Sequence, residues 1–215
     1  MKKLNSRYKK HFTDKTFLTS LLLGVALLIC SLFINFYAGT YATEKASSSV
    51  TDIVLSNIPV YDVDMIFIYG PVVFWSFVLL LGLYEPKKFP FGLKSIALFI
   101  LVRSVFITLT HIGPFPDSAF LDNHVGWIRD FSFGGDLFFS AHTGTPFLMA
   151  LVFWENKLLR TLFIITSIFF GIIVLLGHFH YSIDVFSAFF ITYTIYKISE
   201  KIFNKDFKLF NEKPI

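Results

Sequence analysis

The chain has 215 residues, of which 54% are hydrophobic, 19% aromatic and only 16% charged, and its mean hydropathy is +0.64. That balance excludes an ordinary water-soluble domain and places the chain in a membrane. The net charge of +4 is dispersed over tails and tight turns, which argues against nucleic acid and for anionic headgroups as its counterpart.

In chain order, residues 1–16 form a basic tail with Lys2, Lys3, Arg7, Lys9, Lys10 and Lys15. Apolar runs of roughly 16 to 22 residues follow at about 17–38, 65–83, 92–110, 137–154, 161–177 and 183–198, each about the length that crosses hydrocarbon as a helix. The first run is longer than the apolar region of a secretory signal, so it is expected to stay as an anchor. Gly70-Pro71 interrupts the second and is expected to kink it, and Ser187, Thr192 and Thr194 make the sixth the least apolar. Residues 199–215 form a second basic tail. Sixteen of the 19 Lys and Arg residues then fall on one side of the membrane, with only Lys45 and Arg129 opposite and Arg103 inside the third run. Basic residues near span ends stay cytoplasmic. The expected fold is therefore all-α: a six-transmembrane-helix bundle, one membrane domain over 17–198, with both termini cytoplasmic.

Cys30 is the single cysteine, which excludes an internal disulfide and a cysteine-based metal site. Two outer connections, about 40–64 and 111–136, are longer than turns require, and such connections in compact folds usually carry function. Trp127, Phe131 and Phe133 in the second suit headgroup depth.

Polar chemistry concentrates at the starts of the fourth and sixth runs, in Gly135-Asp136-Leu137-Phe138-Phe139-Ser140-Ala141-His142-Thr143 and His178-Phe179-His180-Tyr181-Ser182-Ile183-Asp184. An ionisable group beside lipid is a functional-site candidate by default. The hairpin topology puts His142 and His180 on one membrane face. Spacing of four places His180 and Asp184 one helical turn apart, where the carboxylate orients the ring and stabilises its charge. Gly134 and Gly135 before a helix allow close backbone approach, and a helix N-terminus favours an anion. Ser140 and Thr143 are candidate hydroxyl donors to phosphate oxygens, and His142 is the candidate proton donor to a departing alkoxide. Arg103 offers a planar fork for phosphate. Asp136 reads either as the N-cap of the fourth run or as a partner for a headgroup ammonium. His178 reads as a headgroup-facing or supporting residue rather than a catalytic one.

These stretches, with Arg103-Ser104 through Thr108 and Gly113-Pro114-Phe115-Pro116, resemble the motif series of the sphingomyelin synthase family, a branch of the type 2 phosphatidic acid phosphatase superfamily. The likeness runs over about 53–194. It implies six spans and metal-independent, cofactor-free transfer of a phosphorus-bearing lipid headgroup. The catalytic triad carries over to His142, His180 and Asp184, and Tyr181 falls within the second histidine motif as a substrate-binding candidate. By analogy His180 attacks phosphorus, Asp184 orients it, and His142 handles protons in both halves of a two-step displacement. Gly134 and Ala141 stand where the family commonly has Cys and Gly. The Lys and Arg-Pro motif of the superfamily's phosphatases is missing, which leaves Arg103, with Arg129, as phosphate clamp. The implied partners are a phospholipid donor, a lipid-alcohol acceptor and the bilayer, and the implied place is the plasma (inner) membrane with the site on its extracytoplasmic side. Competing readings are a lipid phosphate phosphatase, a lipid transporter or scramblase with a polar groove, and a zinc site on His142, His178, His180 and Asp184, which lacks zincin spacing.

Overall fold

The computed structural model describes residues 8–9, 11–116 and 135–212; Trp127, Arg129, Phe131, Phe133 and Gly134 lie outside them. Its helices are α1 (Lys15–Glu44), α2 (Asp64–Tyr84), α3 (Phe89–Leu109), α4 (Ala141–Val152), α5 (Lys157–Leu176), α6 (Ser182–Ile202) and α7 (Asn204–Asn211), with short 3-10 turns at Leu55–Asn57 and Pro86–Lys88. There is no strand among the described residues.

Four of these elements are long and apolar enough to cross a membrane: α1, α2, the stretch Pro86–Leu109 that includes α3, and α5. The fourth run departs from its expected shape. Only its later part is helical, and 12 residues at 1.5 Å each rise about 18 Å, short of the ~30 Å hydrocarbon thickness. The apolar residues ahead of it do not continue the helix, because Ser140 caps α4 at the Thr143 N–H. Leu137 and Phe139 instead bury themselves as irregular chain, at 5% and 0% exposure. α6 is long enough to span but carries Asp184, Thr192, Ser199 and other polar residues inward. α2 runs as one helix through Pro71.

α4 is the hub, packed against α5 and α6, while α3 lies along α1 and touches α6. Phe91, Phe99, Phe139, Phe163 and Phe170 form the centre of the core, with edge-to-face pairs such as Phe99–Phe139 at 5.4 Å. Small residues let helices approach: a Cβ on Gly144 would stand 2.8 Å from the Phe99 ring. α2 is the most peripheral helix, with 11% of its apolar window buried.

The segment expected as a second tail folds back. α6 continues to Ile202, and α7 docks through Phe210, 5% exposed, and through Asp206. Asp206 accepts from Lys94 Nζ at 2.6 Å and from Ser20 Oγ at 2.5 Å. A buried ammonium and a buried carboxylate thus satisfy each other where α1, α3 and α7 meet.

Candidate active site

The two histidine motifs converge. His142 sits in the first turn of α4 and His180 just before the Tyr181 N-cap of α6, with ring centroids 6.4 Å apart. Backbone joins the motifs directly, since Ser140 N–H donates to the Asp184 carbonyl at 3.1 Å. Asp184 is completely buried, and its Oδ2 lies 3.5 Å from His180 Nδ1. The two do not meet as neighbouring turns of one helix, because His180 precedes α6. They meet because Asp184 turns back as a cap, its Oδ2 accepting the Tyr181 N–H at 2.9 Å. Asp184 Oδ1 and His180 Nδ1 have no hydrogen-bond partner, and unsatisfied buried polar atoms of this kind cluster where a structure serves chemistry.

His142 Nε2 donates to the Phe67 carbonyl at 3.2 Å, and its ring stacks on the Phe67 ring at 4.2 Å. A carbonyl only accepts, so this contact puts a proton on Nε2 and leaves Nδ1 as the atom with a free lone pair in the neutral ring. The opposite logic holds at His180: Asp184 faces Nδ1, and Nε2 is the nitrogen left for a ligand.

The other candidates take different places. Arg103 is 6% exposed and already engaged: Nε donates to the Phe139 carbonyl at 2.9 Å, one Nη donates to Asp136 Oδ2 at 3.1 Å and the other to the Asp136 carbonyl. It therefore pins the irregular 136–139 segment. Asp136 is the counter-charge of Arg103 and not the N-cap of α4. That role belongs to Ser140, which is wholly buried, as is Thr143, and the two hydroxyls contact each other at 3.4 Å. Gly135 stands six positions before α4 and makes its close approach to α1, where an added Cβ would lie 2.6 Å from the Ala42 carbonyl; its N–H donates to Thr43 Oγ1 at 3.2 Å. Tyr181 is a strut, its hydroxyl donating to the Gly113 carbonyl at 2.8 Å and accepting from Val50 N–H at 3.2 Å. His178 adopts φ 53°, is 3% exposed and meets the Phe115 edge at 5.2 Å, with neither ring nitrogen hydrogen-bonded. Left-handed backbone at a histidine beside a site is a local strain worth noting.

Two contributors escaped the sequence reading. Phe67 fixes the His142 tautomer, through a carbonyl that residue type cannot reveal. Asp52, in the first long connection, accepts the Ser182 N–H at the start of α6 at 2.7 Å with Oδ2, and the Val54 and Leu55 N–H groups with Oδ1. Burial raises the Asp52 pKa, but the hydrogen bonds from Ser182, Leu55 and Val54 outweigh it and hold the carboxyl below its usual 3.8. An aspartate just ahead of a short turn was the available signal.

Residues 134–201 match the family described as PAP2 superfamily C-terminal. That stretch is roughly a third of the chain and contains His142, His180 and Asp184. It supports the type 2 phosphatidic acid phosphatase superfamily, whose members are phosphatases and phosphotransferases, without reaching the sphingomyelin synthase branch. With the apolar helices, it points to a lipid phosphatase-like or phosphotransferase-like membrane protein. No curated protein and no solved structure matches.

Proposed function

We propose that the protein is a membrane-embedded phospholipid headgroup phosphotransferase. It moves phosphocholine or phosphoethanolamine from a glycerophospholipid to a lipid alcohol, ceramide or diacylglycerol, or to water. Six crossings with both termini cytoplasmic would open the site to the extracytoplasmic face. The observation that carries this reading is the pair of imidazoles 6.4 Å apart with a buried carboxylate behind one of them. At that separation one ring can reach phosphorus while the other reaches an oxygen bonded to it.

In the first half-reaction His180 Nε2 attacks phosphorus, the bond from phosphorus to the diacylglycerol oxygen breaks, and protonated His142 gives its Nδ1 proton to the leaving alkoxide. Asp184 stabilises the positive charge at Nδ1 of His180. In the second, neutral His142 takes a proton from the acceptor hydroxyl at Nδ1, the hydroxyl oxygen attacks phosphorus, and the nitrogen–phosphorus bond breaks. The Phe67 carbonyl holds Nε2–H throughout, so one nitrogen carries both transfers.

Purified protein is incubated with defined phospholipids, with and without ceramide or diacylglycerol, and products are resolved by mass spectrometry. A new headgroup-bearing lipid is expected, and soluble phosphocholine when water is the acceptor. His142→Ala, His180→Ala and Asp184→Ala are each expected to lose most of that product, the two histidine variants retaining the wild-type thermal transition and Asp184→Ala remaining folded with a lower one, because its carboxylate also caps the Tyr181 N–H. Full activity in any two of them overturns the assignment, and inorganic phosphate released from phosphatidic acid as the sole product replaces transfer with phosphatase chemistry.

A further inference from the structure

Besides the histidine site, the fold encloses a cavity of about 440 Å³ between α1, α2, α3 and α4. α4 lies between the two, and its first turn borders both, with Ala141 on the cavity wall and His142 in the histidine site. Its stripe Ala141, Thr145, Met149 and Val152 faces the cavity, whereas His142, about 100° around the helix, faces Phe67 and His180. From Phe89 to Arg103, both on its wall, α3 rises about 21 Å, some two thirds of the ~30 Å hydrocarbon thickness.

The cavity opens to the bilayer. Leu32 of α1 and Leu79 of α2 both line it and are 52% and 54% exposed, so what enters comes from among lipid chains. Its wall also carries a deliberate gap: a Cβ on Gly92 would meet nothing within 4 Å, whereas one on Gly82 would lie 2.7 Å from the Phe89 ring. One end is polar. Arg103 has five N–H groups, three of them used on Asp136 and Phe139, and its charge is balanced by Asp136. The Asn35 side-chain amide lies 3.4 Å from Ser104 Oγ, whose one proton goes to the Ile100 carbonyl at 2.8 Å, so the amide brings both donor and acceptor capacity to this end of the cavity. Thr145 Oγ1 donates to the Ala141 carbonyl at 2.8 Å, leaving its lone pairs to accept. Donors and an acceptor without net charge complement a hydroxyl, which both accepts and donates; a phosphate would bring uncompensated charge and could only accept.

We propose that this cavity holds a lipid alcohol, its hydrocarbon chain along α3 and its hydroxyl among Asn35, Arg103 and Thr145, the last of them three residues from His142 along α4. Its role as the acceptor site rests on the transferase reading; occupancy by the lipid does not. The site separates two activities of one enzyme, since water needs no chain channel.

Trp75 lines the cavity, and the other two tryptophans are Trp127 and Trp154. With Trp127→Phe and Trp154→Phe in place, in phosphatidylcholine nanodiscs, chain-brominated diacylglycerol is titrated while Trp75 emission is read. Saturable quenching of more than half the emission is expected. It should persist in His180→Ala and Gly92→Ala, and disappear in Gly92→Phe, which fills the gap, or in Leu79→Phe, which narrows the mouth without adding an emitter. Quenching linear in mole fraction, or matched by chain-brominated phosphatidylcholine, or unchanged in both blocking variants, overturns the site. In turnover, Gly92→Phe is expected to lower headgroup transfer to diacylglycerol at least tenfold and leave headgroup release to water within twofold; equal losses in both overturn the acceptor role. Saturable quenching without transfer activity keeps the site and rejects the transferase reading, whereas transfer with linear quenching does the reverse.

Discussion

Replacing Arg103 by methionine tests how the site is held together. The guanidinium balances the Asp136 carboxylate, with side chains 7% and 21% exposed, and it donates to the carbonyls of Asp136 and Phe139, the latter residue wholly buried. Breaking a buried pair from one side costs about 3–5 kcal/mol, and the partial exposure of Asp136 favours the lower figure, ~3. The orphaned Phe139 carbonyl adds about 1–2 kcal/mol. The sum is about 4–5 kcal/mol, near the top of single-substitution effects. At 2–4 °C per kcal/mol for a chain of this size, the transition should fall by roughly 8–20 °C. Asp136→Leu removes the stranded charge, so Arg103→Met with Asp136→Leu should recover ~2 kcal/mol relative to the sum of the singles. Thermal unfolding of the four proteins in one detergent measures this. A transition for Arg103→Met within 2 °C of wild type, or strict additivity in the double variant, would refute the view of Arg103 as the tie holding 136–139.

Three further outcomes are expected. The Asp52 carboxyl is depressed in the folded state, so its contribution is complete above the unfolded carboxylate value near 3.8 and is lost as pH falls through the lower folded value; acid titration of stability should show this loss below about pH 4 in wild type and a flatter curve in Asp52→Asn, and parallel curves would count against the cap at Ser182. Gly135→Ala should lower stability by about 1–3 kcal/mol, because the Cβ would meet backbone, the Ala42 carbonyl at 2.6 Å and Thr43 Cα at 2.7 Å, and backbone cannot swing aside as a flexible side chain can; an unchanged melting transition would contradict that packing. Ser140→Ala removes the α4 cap and should cost about 1 kcal/mol, with headgroup turnover falling further than the melting transition does if the first turn of α4 positions His142.

Much of this was readable from residue order, and what was not has a physical cause. Length and apolar composition place α2, α3, α5 and α6 within about four residues at each end, and the start of α1, whose other end runs six residues past the expected 38, since a long helix needs a long run and little else. α4 misled because Leu137, Phe138 and Phe139 are apolar without being helical; composition reports burial and not the hydrogen bonding that ends at Ser140. The two histidine motifs are legible as chemistry, and their meeting follows from hairpin connectivity. The assignment of partners is not legible. Arg103 and Asp136 each read as ligand-facing when taken alone, and only coordinates reveal that they neutralise each other. Asp52 lies in a connection whose length hinted at a task without naming it, and the Phe67 contact is made by backbone, to which side-chain identity is blind.

The Ser140–Asp184 backbone bond has one consequence for anyone dissecting this region. It stitches the start of one helix to the start of another, so a disturbance in the first turn of α6 moves the Ser140 cap and with it the turn that carries His142. Grafting either motif by itself into a related scaffold would transplant half of a jointed tool, and the two halves need to travel together.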